Sequence, residues 1–188
     1  MALTRARPIA GDQSLMREAA AAVHAVLSRH HDQKKVIGDV LDMRALLQIE
    51  KPAEGAWDLK QVPGGLVDIE FIAQTQQLLH GSAIPELLQT ETETALAAAS
   101  RAKLIPKAEA DILLPALRLY QRLTQLLRLC VDGPFKADEA PRGLLALLSR
   151  AAELPDFPTL DAHLKAVEAE VRASFTRLIG KVPPKPRA

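Results

Sequence analysis

The stretch WDLKQVPGGLVDIEFIAQ, residues 57–74, decides how this chain folds. It sets the end of a loop rich in Pro and Gly, residues 51–65, directly against a run with helical spacing that begins at Leu66. Leu66, Ile69, Ile72, Ala73 and Leu79 fall on one side of that helix, and Val67, Phe71 and Leu78 on another. A helix that is apolar on two sides is sandwiched between neighbours. This segment is therefore expected to be the central helix of a bundle, ending near Leu79 with Gly81 as its C-cap.

Working outward, every apolar run has the same helical period. Leu3 to Arg7 reads as the end of a helix, stopped by Pro8 and Gly11. Such a beginning suits a chain taken from something longer. Asp12 is the expected N-cap of a helix to about residue 30, with Leu15, Ala19, Ala22, Val23, Val26 and Leu27 as its stripe. Asp32 is expected to cap the next, whose face holds Val36, Ile37, Val40, Leu41, Met43 and Leu47, with Arg44 inside it. Downstream, Thr90 is the expected cap of a helix to about residue 102. Pro106 opens a long one to about residue 131, which Pro115 should kink. A short helix covers 142–151, and Thr159 is the expected cap of the last, to about residue 179. No segment alternates as a strand does. The expected architecture is all-α, a bundle of about seven helices in a single domain over 1–180, with 135–180 a possible smaller sub-bundle and 181–188 a disordered tail.

Composition agrees with this. The 188 residues are 48% hydrophobic and 25% charged, ordinary values for a globular domain. Aromatic residues are only 3%, so Leu, Ala, Val and Ile must build the core, which favours helix over strand. The 24 basic and 23 acidic residues leave a formal net charge of +1, too little to hold nucleic acid or an anionic membrane by its general field. The single cysteine, Cys130, is expected in the core of a Leu-rich helix and excludes an internal disulfide. No apolar run approaches the roughly 20 residues that span a bilayer, and the N-terminus has no apolar signal core, so a cytoplasmic location is expected.

The residues that can carry chemistry gather around residue 64. Gly64 and Gly65 stand immediately before a helix, where adjacent glycines permit a sharp turn and a close approach to a ligand or another chain. The free N–H groups of the helix start can hold an anion, and Lys60 is near enough in sequence to add a cation. Equally, Gly65 can simply cap the helix, while Asp68 favours its positive end and pairs with Lys60. Asp68 and Glu70, two residues apart, point roughly 200° away from each other and cannot easily share one metal ion. Arg44 is either packed against a buried carboxylate or aimed into a cleft. The five histidines have no metal-ligating spacing, and no nucleophile elbow or P-loop occurs.

The opening ALTRARPIAGD, Asp42 to Arg44 (DMR), and WDLKQVPGGLVDIEF from Trp57 resemble the bifunctional glutamine synthetase adenylyltransferase/adenylyl-removing enzyme family, over nearly the whole chain. The Lys60 to Glu70 stretch also looks like the related segment of the PII uridylyltransferases, which lack the ALTRAR and DMR context. Asp58, Lys60 and Asp68 look more like the adenylylating half of the former, and the last helix with its short tail fits that protein's C-terminal end. The resemblance implies a helical domain following a nucleotidyltransferase domain, in an enzyme that uses ATP and Mg to move AMP onto a tyrosine of glutamine synthetase. PII signal protein and glutamine are the implied regulators. No Gly-Ser-Asp catalytic signature is present; the only Gly-Ser, Gly81-Ser82, runs into Ala-Ile-Pro, so no catalytic residue, metal or cofactor is expected within this chain itself. Lys60, Gly64 and Gly65 are then expected at the nucleotide cleft, with Arg5, Arg7 and Arg44 on the basic side of the domain junction. Asp68 and Glu70 would position Lys60 or Arg44. The alternatives are a regulatory module that docks glutamine, PII or glutamine synthetase only, and a plain helical scaffold.

Overall fold

The computed structural model describes residues 1–185. Seven α-helices follow a 3-10 turn at Ala2–Arg5: α1 (Gln13–Leu27), α2 (Gln33–Glu50), α3 (Leu66–His80), α4 (Thr92–Arg101), α5 (Lys107–Cys130), α6 (Arg142–Ala151) and α7 (Phe157–Leu178). A second 3-10 turn, Pro85–Leu87, was not anticipated; it plugs the wholly buried Leu87 under the α3–α4 connection. Among the described residues there is no strand, and no helix is long and apolar enough to cross a membrane.

The expected central helix is central. Twelve of the fifteen residues of α3 are buried, and it packs against α2, α4, α5 and α7. One continuous core runs from Val40 to Ile179 and includes residues of α2 through α7. Trp57 anchors the loop 51–65 onto it. Its ring stacks on Phe157 at 5.1 Å and meets Phe135 at 5.0 Å, and its Nε1–H donates to Asp161 at 3.0 Å. Half of the chain's six aromatic side chains are thus gathered at one joint between loop, α5–α6 connection and α7.

Asp12 and Asp32 cap α1 and α2 as their sequence positions require, accepting from Ser14 N–H and Lys35 N–H. At three later helix starts the structure corrects the sequence reading by a few residues. Glu91, not Thr90, is the N-cap of α4. Pro106 is the N-cap of α5 rather than its first residue, and α5 is continuous through Pro115. Asp156 caps α7 and accepts from the N–H of Thr159, which is its beneficiary rather than the cap. Cys130 is exposed, on the solvent side of the last turn of α5 together with neighbouring Leu129, which is 83% accessible. The stripe of α1 is only half covered: Leu27 is buried, Met16, Val23 and Val26 partly so, and Leu15, Ala19 and Ala22 face solvent. Beyond α7 the chain has no helix to Lys185, Val182 packs against the core, and residues 186–188 of the expected tail lie outside the described residues.

Gly64 illustrates what the sequence motif is for. Its φ is +88°, and a Cβ built there would stand 1.9 Å from the backbone oxygen of Glu168 in α7. Gly133 shares a positive φ, +90°, but has open space around it. Gly64→Ala should therefore cost more than about 3 kcal/mol and lower Tm by some 6–12 °C, while Gly133→Ala costs about 1 kcal/mol. Equal losses in thermal denaturation would mean that backbone strain alone, and not the approach to α7, makes Gly64 necessary.

Candidate functional site

The eight residues singled out in the sequence separate into two groups. Arg44, Gly64, Gly65 and Asp68 are buried. Arg5, Arg7, Lys60 and Glu70 sit at a surface groove.

The buried group is a lock. Arg44 in α2 donates through Nε to Asp68 Oδ1 in α3, and through Nη2 to the carbonyls of Gln61 at 3.0 Å and Val62 at 3.3 Å. The second oxygen of Asp68 accepts from Gly64 N–H at 2.7 Å and from Arg172 Nη1 of α7 at 3.0 Å. One carboxylate thus ties together two helices, the loop between them and the last helix. Both Arg44 and Asp68 have fully buried side chains. Of the two readings of Arg44, the packed one holds. Arg44 cannot belong to the basic side of a junction, and Gly64, Gly65 and Asp68 cannot face a nucleotide in this conformation, because protein covers them. The carboxylate of Asp68 bonds to Arg44, Gly64 N–H and Arg172, and not to Lys60.

The start of α3 is also not an anion cradle. Its first amides are used by the chain itself: Leu66 N–H donates to Leu59 O at 2.8 Å, Val67 N–H to Lys60 O at 3.2 Å and Asp68 N–H to Gly65 O at 3.1 Å. A Cβ on Gly65 would lie 2.6 Å from that same Leu59 oxygen. The glycine pair lets the loop fold back onto its own helix and onto α7, and the close approach is to protein.

The surface group lines an open groove of about 720 Å³ between the N-terminal 3-10 turn, the loop and the α4 and α5 flanks. Arg5, Arg7, Lys60 and Arg128 are its cations, and Thr90, Thr92, Gln121, Thr124 and Gln125 contribute neutral polar groups. Its carboxylates are Glu70, Glu91 and Glu93. Glu70 is bound by Arg5 at 2.8 Å and Glu93 by Arg118, outside the groove, at 2.6 Å. Among the described residues no carboxylate pairs with Arg7, Lys60 or Arg128, so the groove has cationic hydrogen-bond donors to spare. As the helical geometry requires, Asp68 points inward and Glu70 outward. A second hollow of about 390 Å³, floored by Trp57 and Phe135, shares Lys60, Thr124 and Arg128 with the first. No group of three or more His, Cys, Asp or Glu residues among those described could hold a metal ion.

Sequence reasoning missed Arg128, Arg172, Glu168 and Tyr120. Arg128 lies a long way in sequence from its groove partners, and only the fold joins them. Arg172 and Glu168 are four apart on α7, a helical spacing that marks one face but not a partner. Glu168 is half-buried with one oxygen unpartnered, and its pKa is pushed up to about 7, first by burial and then by the nearby charge of Asp161, against a smaller opposing effect of Lys165. The buried Tyr120 hydroxyl is likewise unpartnered, and burial raises its pKa, helped by Glu168 and Asp68.

Removing one partner of a buried ion pair strands the other, so Arg44→Ala should destabilise by about 3–5 kcal/mol, whereas exposed Lys60→Ala should stay within about 0.5 kcal/mol. Chemical denaturation of both variants measures this, and a mild Arg44→Ala would disprove the lock. Glu168 titrates the other way from a salt-bridged carboxylate. Its folded pKa lies above the unfolded one, so its proton stabilises the fold at pH 5, and that stabilisation is lost as pH rises through about 7. Glu168→Gln should match the parent at pH 5 and exceed it by on the order of 1 kcal/mol at pH 8. A pH-independent difference between the two would refute the shift.

Comparison with known proteins places this geometry. Residues 42–178, more than two thirds of the chain, match the family model described as GlnD PII-uridylyltransferase. The chain is 44% identical over 180 residues to the bifunctional glutamine synthetase adenylyltransferase/adenylyl-removing enzyme of Rhodopseudomonas palustris strain BisB5, covering 96% of this chain and 18% of that protein. The enzymes of the same name from Xanthobacter autotrophicus and Bradyrhizobium sp. strain BTAi1 are 44% and 43% identical over 179 residues, each with 95% of this chain and 18% of the relative covered. The chain thus spans about a fifth of the length of the curated relatives it matches. The match across its core helices, lock and groove-lining loop establishes that this chain belongs to the GlnD PII-uridylyltransferase family, and its similarity runs to the glutamine synthetase adenylyltransferases.

Proposed function

We propose that this chain is the helical domain of the adenylylating half of a longer glutamine synthetase adenylyltransferase, and that its groove completes the nucleotide cleft facing a preceding nucleotidyltransferase domain. The observation that carries the reading is the gathering of Arg5, Arg7, Lys60 and Arg128 from three distant parts of the sequence around one open, polar groove. The guanidinium and ammonium groups of Arg7, Lys60 and Arg128, which pair with no carboxylate among the described residues, suit the phosphates of ATP and the charge that develops on them during AMP transfer. The groove residues bind and orient. No metal step is derived through this chain, because Glu70 and Glu93 are held by arginines and the described residues form no ligand cluster with the remaining groove carboxylate, Glu91; Mg belongs to carboxylates of the neighbouring domain. Transfer of AMP to a tyrosine of glutamine synthetase, the regulators glutamine and PII, and a cytoplasmic site of action belong to the same proposal.

The test supplies this chain in trans to the nucleotidyltransferase domain of the Rhodopseudomonas palustris relative and follows labelled AMP entering glutamine synthetase. Labelling should need both pieces, and Lys60→Ala or Arg128→Ala should lower kcat/KM about 10- to 100-fold, with Arg118→Ala near the parent value. If the pieces associate and labelling is indifferent to Lys60 and Arg128, the chain is a regulatory or docking module.

A further inference from the structure

We propose that the hollow beside the groove, walled by Trp57 and Phe135, is a subsite for the base of an adenine nucleotide whose phosphates lie in the groove. The proposal rests on the groove reading and adds the part of the ligand that the cations leave unexplained. Four observations carry it. First, the hollow, of about 390 Å³, and the groove meet at Lys60, Thr124 and Arg128, which line both. Second, the two differ in character. The groove is lined almost wholly by charged and neutral polar side chains, whereas the hollow sets half-buried Leu127, Val131 and Phe135 beside Trp57. A polyanion joined to a flat, uncharged aromatic ring needs that pairing, and a concave site of roughly 300–1,000 Å³ with apolar walls and a few polar groups is the kind that takes such a ligand. Third, the wall is fixed in advance. Phe157 stacks on Trp57, and Asp161 accepts from its Nε1–H at 3.0 Å, so the indole needs no ordering on binding. Fourth, polar groups stand where a nucleoside needs them. Among the described residues no group bonds to the hydroxyl of Thr124, which leaves it for the sugar at the junction of the two hollows. Glu54 lines the hollow and not the groove, and among the described residues no cation pairs with it. A free carboxylate accepts from the exocyclic amine of adenine and repels the carbonyl that hypoxanthine or guanine carries at the same position. The other carboxylate of the hollow, Asp58, is taken up by the loop, since its oxygens accept from the backbone N–H groups of Glu54, Lys60 and Gln61.

Trp57 is the chain's single tryptophan, so its emission reports on the wall of the hollow. The 188-residue chain is titrated with ATP, its 6-oxo analogue inosine triphosphate, adenosine and inorganic tripolyphosphate, with excitation beyond the absorption of the bases. ATP and adenosine should quench Trp57. Tripolyphosphate should leave the emission unchanged and yet displace ATP. ATP should bind about fivefold more tightly than inosine triphosphate, and Glu54→Ala should bring that ratio near one without changing the binding of tripolyphosphate. Glu54 is exposed, so its replacement spares the fold. Lys60→Ala should weaken ATP and leave adenosine as it was. The ratio of the two nucleotides is also read as kcat/KM for labelled transfer by the chain mixed with the nucleotidyltransferase domain, so weak binding by the chain alone does not conceal it. A ratio that Glu54→Ala leaves unchanged in both formats overturns the proposal. So does quenching by a tyrosine peptide and not by adenosine, since the hollow would then hold the acceptor. If ATP competes with tripolyphosphate while the emission of Trp57 stays constant, the base subsite falls and the groove reading stands. Quenching by adenosine that Glu54→Ala removes, in a chain that does not bind tripolyphosphate, does the reverse.

Discussion

The carboxylate of Asp68 is the constraint on which the rest of the architecture depends. A buried charge is tolerated only with partners and satisfied lone pairs, and Asp68 finds them on Arg44, Gly64 and Arg172. Each partner belongs to a different part of the chain. Hydrophobic packing would let α2, α3 and α7 slide by a ridge with little loss, but this set of directional bonds exists in one register only. An apolar replacement could well be as stable; what the charges add is a single arrangement of three helices and a loop.

That arrangement explains which features the sequence disclosed. The helices were legible because a core of Leu, Ala, Val and Ile must repeat at the helical period, and α3 was legible as central because it is apolar on two sides. Asp12 and Asp32 were legible as caps because the donors they satisfy are two or three residues away. The capping of α7 was misread because Asp156 and Thr159 occupy both ends of one hydrogen bond, and only geometry shows which is the acceptor. The candidate site was legible as a list and not as an arrangement. The family resemblance placed Arg44 and Lys60 at one domain junction, but burial separates them: Arg44 lies in the interior and Lys60 on the surface. Arg128 and Arg172 could not be paired with the glycine motif without the fold, since the contacts that matter span many tens of residues.

The same physics accounts for the half-covered stripe of α1. Periodicity reports that a face is apolar, not what lies against it. For α3 and α5 the cover is the remainder of the bundle. For α1 the stripe reads just as clearly, and the bundle meets only its edge.

The glycine motif is best understood as a device for placing a cation. The positive end of α3 is an obvious place for an anion, yet its amides hold the carbonyls of Leu59 and Lys60. Lys60 is further restrained by its own N–H, which donates to Asp58 Oδ1 at 3.3 Å. The backbone on both sides of Lys60 is thus fixed, while its side chain is left to the groove. Gly64 lets this loop press against α7, and the bond from Gly64 N–H to Asp68 connects the loop to the lock. A change at the buried carboxylate therefore reaches Lys60 through at most two hydrogen-bonded links. The helix start thus serves the groove indirectly: its amides order the loop, and the loop presents the charge.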